Sequence, residues 1–159
     1  MKRKWLAVGI ILLFVGITYA PAIAQNTEKY HSISRGNWLY VGGSGPGNYT
    51  RIQDAIDIAS DADTVFVYDD SSPYYENIII EKSITIRGEN KSSTVLTIIT
   101  SGHNTYGVNI TANAVSISGF TVQNFSHGIY LTSNNNQISD NIFGDNYFGI
   151  RTHYENLST

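Results

Sequence analysis

Apolar and polar positions alternate from residue 64 onward over short runs rich in β-branched residues. Such runs are typical of β-strands when turn residues bound them, as the DDSSP stretch at residues 69–73 does here. The pattern predicts a series of short strands. They are expected at residues 38–41, 64–68, 77–80, 83–86 and 94–99.

A helical period is found at residues 50–60, where apolar residues recur at positions i, i+3, i+4 and i+7. Thr50 and Gln53 have the spacing of a capping box, which would begin the helix. The sequence therefore predicts an amphipathic helix over residues 50–60. Its apolar stripe consists of Ile52, Ala55, Ile56 and Ala59.

A repeat with a period near 21 follows these elements. Gly107, Gly128 and Gly149 each begin a similar strand-like run. Such a period, built from short strands with no helix between them, indicates a solenoid of stacked coils. Each coil would hold about three short strands and three corners. The same offset relates Val122 to Phe143, and also Leu96, Ile117 and Ile138, which would form one column.

Stacking at this period assigns the faces of the repeated strand. Val108, Ile129 and Ile150 would form an interior apolar column, and the residues that follow them would face outward. The first coil of a solenoid exposes an apolar end, which the helix is suited to cover. The predicted organisation is an N-terminal cap at residues 38–63 and coils at residues 64–159, with the last coil incomplete.

The N-terminus has the pattern of a secretory signal peptide. Three basic residues precede an apolar run, and a small-x-small site ends at Ala24. We therefore expect a signal peptide at residues 1–24, a flexible leader at residues 25–37, and a secreted, periplasmic or cell-surface location. An uncleaved membrane anchor is the open alternative, and contact with a membrane is expected only through this segment.

Composition narrows the function classes. The chain has no cysteine, which excludes disulfides, thiol catalysis and Cys-based metal sites. Removal of the signal peptide leaves seven basic and 13 acidic residues, a net charge of −6, which argues against a nucleic-acid partner. The 15 asparagines fit a protein rich in turns. Asn-x-Ser/Thr sequons make five of them candidate glycan acceptors: Asn48, Asn90, Asn109, Asn124 and Asn156.

These residues resemble the right-handed parallel β-helix proteins of the pectin-lyase-like superfamily, and most closely the NosD-type periplasmic copper-binding domains. The resemblance covers residues 38–159 and rests on the segments at residues 40–56, 63–67, 82–88, 115–122 and 128–136. It implies an all-β fold: a right-handed parallel β-helix, with about 21 residues per coil and a short N-terminal capping helix. It also implies that the chain is an N-terminal fragment, whose remaining C-terminal coils would be a partner.

The resemblance leaves the activity open, because this superfamily includes lyases, hydrolases and non-catalytic modules. A hydrolase needs two carboxylates held around a water molecule, and a lyase needs a calcium cluster and a base. Asp140, Asp145 and His127 are the weak catalytic candidates. For Asp140 and Asp145, we favour a structural role at corners of the coils.

Metal binding is a separate alternative that the family name suggests. His127 and His153 are the weak candidate ligands for copper, and calcium is the other cation to consider. The spacing between the two histidines is not a multiple of the repeat period, so they do not stack. His127 instead shares a predicted column with Tyr106 and Phe148, which favours aromatic packing.

Recognition is the function class that the sequence favours. A β-helix presents long flat faces, on which exposed aromatic and amide side chains can stack on and bind sugar rings. We expect an exported non-catalytic module that binds a polysaccharide or a cell-surface glycan. The candidate ligand-binding residues are Asn109, Tyr130, Arg151, Tyr147 and Tyr154.

Overall fold

A computed structural model describes residues 36–100 and 102–153. The predicted signal peptide and most of the predicted leader lie outside these residues. The described part is mostly β-structure with one short helix, α1, at Ile52–Ile58. The strands are β1 Trp38–Val41, β2 Thr64–Val67, β3 Tyr74–Tyr75, β4 Ile78–Ile80, β5 Thr85–Gly88, β6 Val95–Thr97, β7 Tyr106–Ile110, β8 Ser116–Ser118, β9 Thr121–Gln123, β10 His127–Leu131, β11 Gln137–Ser139, β12 Ile142–Gly144 and β13 Phe148–Thr152.

The strands form three sheets, and every strand pair in them is parallel. Sheet 1 has the order β1-β2-β5-β8-β11, sheet 2 the order β3-β6-β9-β12, and sheet 3 the order β4-β7-β10-β13. From β2 onward the chain visits sheets 1, 2 and 3 in turn, so each circuit makes one coil. Coils 1 to 4 therefore begin at β2, β5, β8 and β11. This arrangement is consistent with a parallel β-helix.

The register aligns apolar side chains into interior columns. Val108, Ile129 and Ile150 are direct partners in sheet 3, as their spacing predicts. Val108 and Ile129 are buried, whereas Ile150, on the last described strand of the sheet, is 46% exposed. The predicted column of Leu96 with Ile117 is wrong. Ile117 pairs with Ile86 in sheet 1, whereas Leu96 lies in sheet 2, opposite Val122. The reason is that coil 2 is longer than the period of 21.

The longer coil follows from the pairing itself. Arg87 pairs with Ser118, and Val95 pairs with Thr121, so eight residue steps in coil 2 correspond to three in coil 3. The next corner differs by five steps as well, because Leu96 pairs with Val122 and Tyr106 with His127. Five additional residues therefore leave the stack at each of these two corners. Coils 3 and 4, in contrast, keep one constant offset of 21 residues in every sheet.

The helix begins and ends two residues inside the predicted range. The predicted capping box is wrong, because Arg51 is the N-cap residue and no side chain caps the helix from that position. The buried carboxylate of Glu76 accepts hydrogen bonds from the backbone N–H groups of Ile52 (2.9 Å) and Gln53 (3.2 Å) instead. The helix contacts β1, β2 and β4 through its apolar face. Its role as an end cap stays a prediction.

Asparagine side chains play the same structural role at three successive corners, beginning with the corner that leads into coil 4. Each of three successive corners contains a residue with positive φ, and an asparagine directly follows it. The asparagine side chain accepts a hydrogen bond from the backbone N–H group 21 residues earlier, in coil 3. The residues with positive φ are Asn135, Asp140 and Asp145, and the asparagines are Asn136, Asn141 and Asn146.

Asn141 tests this arrangement. Its Oδ1 accepts from the N–H of buried Phe120, and its Nδ2 donates to the carbonyl of Ile117, both at 3.0 Å. We expect Asn141→Ala to lower the free energy of unfolding by about 1–3 kcal/mol, because it leaves buried backbone groups without partners. Urea denaturation measures the change. Asn134→Ala is the control, since this exposed side chain makes no hydrogen bond among the described residues, and an equal loss in both variants would contradict the assignment.

Gly88 and Gly119 test the packing of coil 2 on coil 3. A Cβ atom at Gly88 would overlap the carbonyl oxygen of Gly119, so the two backbones approach too closely for any side chain. We expect Gly88→Ala to lower the free energy of unfolding by about 1–3 kcal/mol. In Gly102→Ala the added Cβ would have its nearest neighbour at 3.6 Å, and this control should be nearly neutral by thermal denaturation. A neutral Gly88→Ala would show that the coils are spaced differently.

Candidate functional site

A groove of about 970 Å³ lies at the corner between sheets 2 and 3. One wall is the loop between β6 and β7, where coil 2 has five additional residues. The other walls are the same corner in coils 3 and 4. Its lining combines amide, imidazole, aromatic and charged side chains: Gly102, His103, Asn104, Asn124, Phe125, Ser126, His127, Asp145, Asn146, Tyr147, Phe148 and Arg151.

An aromatic column lies at this corner, and two of its three rings, His127 and Phe148, line the groove. His127 is the strand partner of Tyr106 on one side and of Phe148 on the other, as the sequence predicts. The ring centroids of His127 and Tyr106 are 5.0 Å apart, and those of His127 and Phe148 are 5.2 Å apart and nearly parallel. The imidazole is therefore packed as an aromatic ring within a stack, and its residue is only 3% exposed.

Arg151 fixes the protonation state of His127. The Nη1 atom of Arg151 lies 2.9 Å from Nε2 of His127. A guanidinium can only donate, so Nε2 accepts, and the proton of the neutral ring is on Nδ1. Burial, together with the charge of Arg151, lowers the pKa of His127 below its usual value of 6.5. The contact with Arg151 and the lowered pKa of His127 both favour the neutral ring, whose Nδ1 is buried.

Tyr147 and Phe148 supply exposed aromatic surface at the groove. Tyr147 is 81% exposed and Phe148 is 41% exposed. The two rings meet edge to face, with centroids 4.7 Å apart. The guanidinium carbon of Arg151 lies 5.3 Å from the Phe148 centroid, a cation–π distance. Phe148 is held between these neighbours, whereas Tyr147 is free to meet a ligand.

The predicted ligand-binding residues divide between two places. Asn109, Tyr130 and Arg151 are direct partners in neighbouring strands and form one outward-facing column on sheet 3. Arg151 also lines the groove, as does Tyr147. Tyr130 and Asn109 lie outside the groove lining. Tyr154 lies outside the described residues.

Asp140 and Asp145, the catalytic candidates, occupy successive corners on either side of β12. Both have positive φ, 54° for Asp140 and 50° for Asp145, and so both serve as corner residues. Asp140 forms an ion pair with Lys91, and Asp145 lines the groove. Asp145 is the one carboxylate in the groove lining that the structure describes, and the third candidate, His127, is bound to Arg151.

The two candidate copper ligands have different partners. Nε2 of His127 is bound to the Arg151 guanidinium, and Nδ1 of His153 lies 3.1 Å from the Tyr130 hydroxyl. An adjacent fixed positive charge opposes cation binding at His127. Residues 36–100 and 102–153 contain no group of three or more side chains of the types that hold a metal ion. The contact with Arg151 therefore does not fit a copper ligand at His127.

Sheet 1 carries an aromatic platform that the sequence analysis did not predict. Its members lie on β1, on β2 and directly after β2, with neighbouring ring centroids 5.1 to 6.2 Å apart. Alternation within each strand marks these residues as one face, but only the pairing of β1 with β2 brings the two strands together. The platform consists of Trp38, Tyr40, Phe66 and Tyr68.

His127 makes stability depend on pH. In the unfolded chain the imidazole takes up a proton near its usual pKa of 6.5, whereas in the folded protein the lowered pKa of His127 delays protonation to a lower pH. The unfolded state then binds more protons, so the free energy of unfolding falls as the pH drops below about 6.5.

We expect His127→Phe, which keeps an aromatic ring in the column, to lose less stability than the original chain between about pH 7 and pH 5. Urea denaturation across this range gives the two profiles. The other ionisable groups are the same in both chains, so their contributions to the pH dependence largely cancel when one profile is subtracted from the other. Parallel profiles would contradict the assignment of a neutral buried His127.

No protein-family model matches the chain. The chain is 32% identical over 108 residues to a cell surface glycoprotein of Methanothermus fervidus. The match covers 64% of this chain but only 18% of the relative. No helix in the described part of the chain is long and apolar enough to cross a membrane. The chain is therefore similar to a small part of a much larger surface protein.

Proposed function

We propose that this chain is part of an exported cell-surface protein, and that its groove binds a glycan. The observation that carries the proposal is the lining of the groove, in which exposed Tyr147 lies beside polar side chains at a concave surface. Concave sites with a few convergent polar groups are the usual form of a small-molecule or sugar site. The similarity to a cell surface glycoprotein supports the surface role.

The chemistry of the groove suits a sugar chain. The exposed face of Tyr147 offers a flat apolar surface for the C–H face of a pyranose ring. Around it, Arg151 provides hydrogen-bond donors, Asp145 provides acceptors, and Asn104 provides both. Sugar hydroxyls donate and accept, so this mixture can satisfy them. The Phe148 ring and His127 both contact the Arg151 guanidinium and so restrain it.

We also propose that the coils are right-handed and that their basic length is about 21 residues. We further propose that the chain is related to the pectin-lyase-like and NosD-type β-helix proteins. A right-handed crossover is the general rule for parallel strands within a sheet. The constant offset of 21 residues between coils 3 and 4 supports a basic coil length of 21 residues. The same proposal makes α1 the N-terminal cap of the stack and residues 1–24 a signal peptide.

A glycan array probed with the chain lacking residues 1–24 tests the binding proposal. We expect binding to a restricted set of glycans, and we expect Tyr147→Ala to weaken it by about tenfold or more through loss of the stacking surface. Arg151→Gln should weaken it as well. Circular dichroism checks that each variant keeps its β-structure.

Tyr40→Ala is the matched control, because Tyr40 belongs to the aromatic platform on sheet 1 rather than to the groove. It should leave binding unchanged. Loss of binding in Tyr40→Ala alone would assign the glycan to the platform instead of the groove. No binding, together with cleavage of polygalacturonate, would replace the proposal with the lyase or hydrolase alternative.

A further inference from the structure

The sequons in the described residues differ in how accessible their asparagines are. Four of the five sequons lie in these residues, and Asn156 lies outside them. Of the four, Asn90 is exposed, whereas Asn48, Asn109 and Asn124 are half-buried. An N-linked glycan is bulky and needs an acceptor at the surface. Exposure therefore separates Asn90 from the other three.

The three half-buried asparagines are also engaged in the fold. Nδ2 of Asn48 donates to the Gly42 carbonyl at 2.6 Å, and Nδ2 of Asn124 donates to Thr97 Oγ1 at 2.9 Å. Nδ2 is the atom to which a glycan is attached, so modification would disturb both contacts. Asn109 lies within the column on sheet 3, and its Oδ1 is buried.

Asn90 lies on the loop between β5 and β6, which contains five residues more than the same corner of coil 3. The side chain folds back on its own loop: Oδ1 accepts from the N–H of Ser92 at 3.0 Å. This contact uses the oxygen and not Nδ2. The loop is fixed at its base, where the Thr94 hydroxyl accepts from the N–H of Asn90 and Ser93 donates to Asp69.

We propose that Asn90 is an N-glycosylation site of the exported chain and that Asn48, Asn109 and Asn124 stay unmodified. The donor is an oligosaccharide linked through phosphate to a lipid. Nδ2 of Asn90 forms a bond to the anomeric carbon of the first sugar, while the bond from that carbon to the phosphate oxygen breaks. The phosphate leaves with the electron pair, and Nδ2 loses one proton to a base of the transferase.

This inference needs the export that the proposed function includes, but not glycan binding in the groove. The two can therefore fail separately. A chain that binds no glycan on an array can still carry one at Asn90, and an unglycosylated chain can still bind.

Mass spectrometry of peptides tests the site, on the chain expressed in the organism from which it comes and recovered from the exported fraction. We expect an oligosaccharide adduct on the peptide with Asn90, and none on the peptides with Asn48, Asn109 and Asn124. Ser92→Ala should abolish the adduct, and Ser92→Thr, which keeps the sequon, should retain it.

Two results would overturn the proposal. One is an exported chain whose Asn90 peptide has the unmodified mass. The other is an adduct on Asn109 or Asn124 of equal or greater occupancy, because folded-state accessibility would then not select the site. Asn90→Gln removes the acceptor itself and confirms the position of any adduct, independently of Ser92.

Discussion

The parallel stacking of strands in register is the constraint on which the rest of this structure depends. Each strand in the middle of a sheet exchanges backbone hydrogen bonds with the coil before it and the coil after it. A residue inserted within a strand would shift every following side chain to the other face. Additional residues can therefore be accommodated only at corners. Coil 2 shows this, because its ten additional residues relative to coil 3 are divided between two corners and leave the interior columns intact.

Those two corners carry the surface features that distinguish this chain. The loop between β6 and β7 forms a wall of the groove, and the loop between β5 and β6 carries Asn90 and Lys91. Lys91 reaches Asp140 of coil 4, so this loop also links coils that are not direct neighbours. The strands of the coils keep a fixed register, whereas the inserted loops can vary in length and sequence, and such loops commonly carry binding sites.

The sequence predicted the mostly-β architecture of stacked strands, because the repeat is visible wherever neighbouring coils have equal length. Val108, Ile129 and Ile150 were aligned correctly for this reason, and so was His127 with its aromatic partners. Leu96 was misplaced because its coil carries the insertions, and no local pattern marks their position. The role of Glu76 at the helix was also hidden, since it depends on a contact between residues more than 20 positions apart.

Disulfide trapping tests the register of coil 2 most directly, since the chain has no cysteine of its own. Thr85 is the partner of Ser116 across sheet 1. Neighbouring parallel strands are about 4.8 Å apart, within reach of a disulfide. The account predicts that Thr85→Cys with Ser116→Cys forms a crosslink under mild oxidation, and that Thr85→Cys with Tyr106→Cys, which a uniform period of 21 would pair, does not. The opposite result would contradict it.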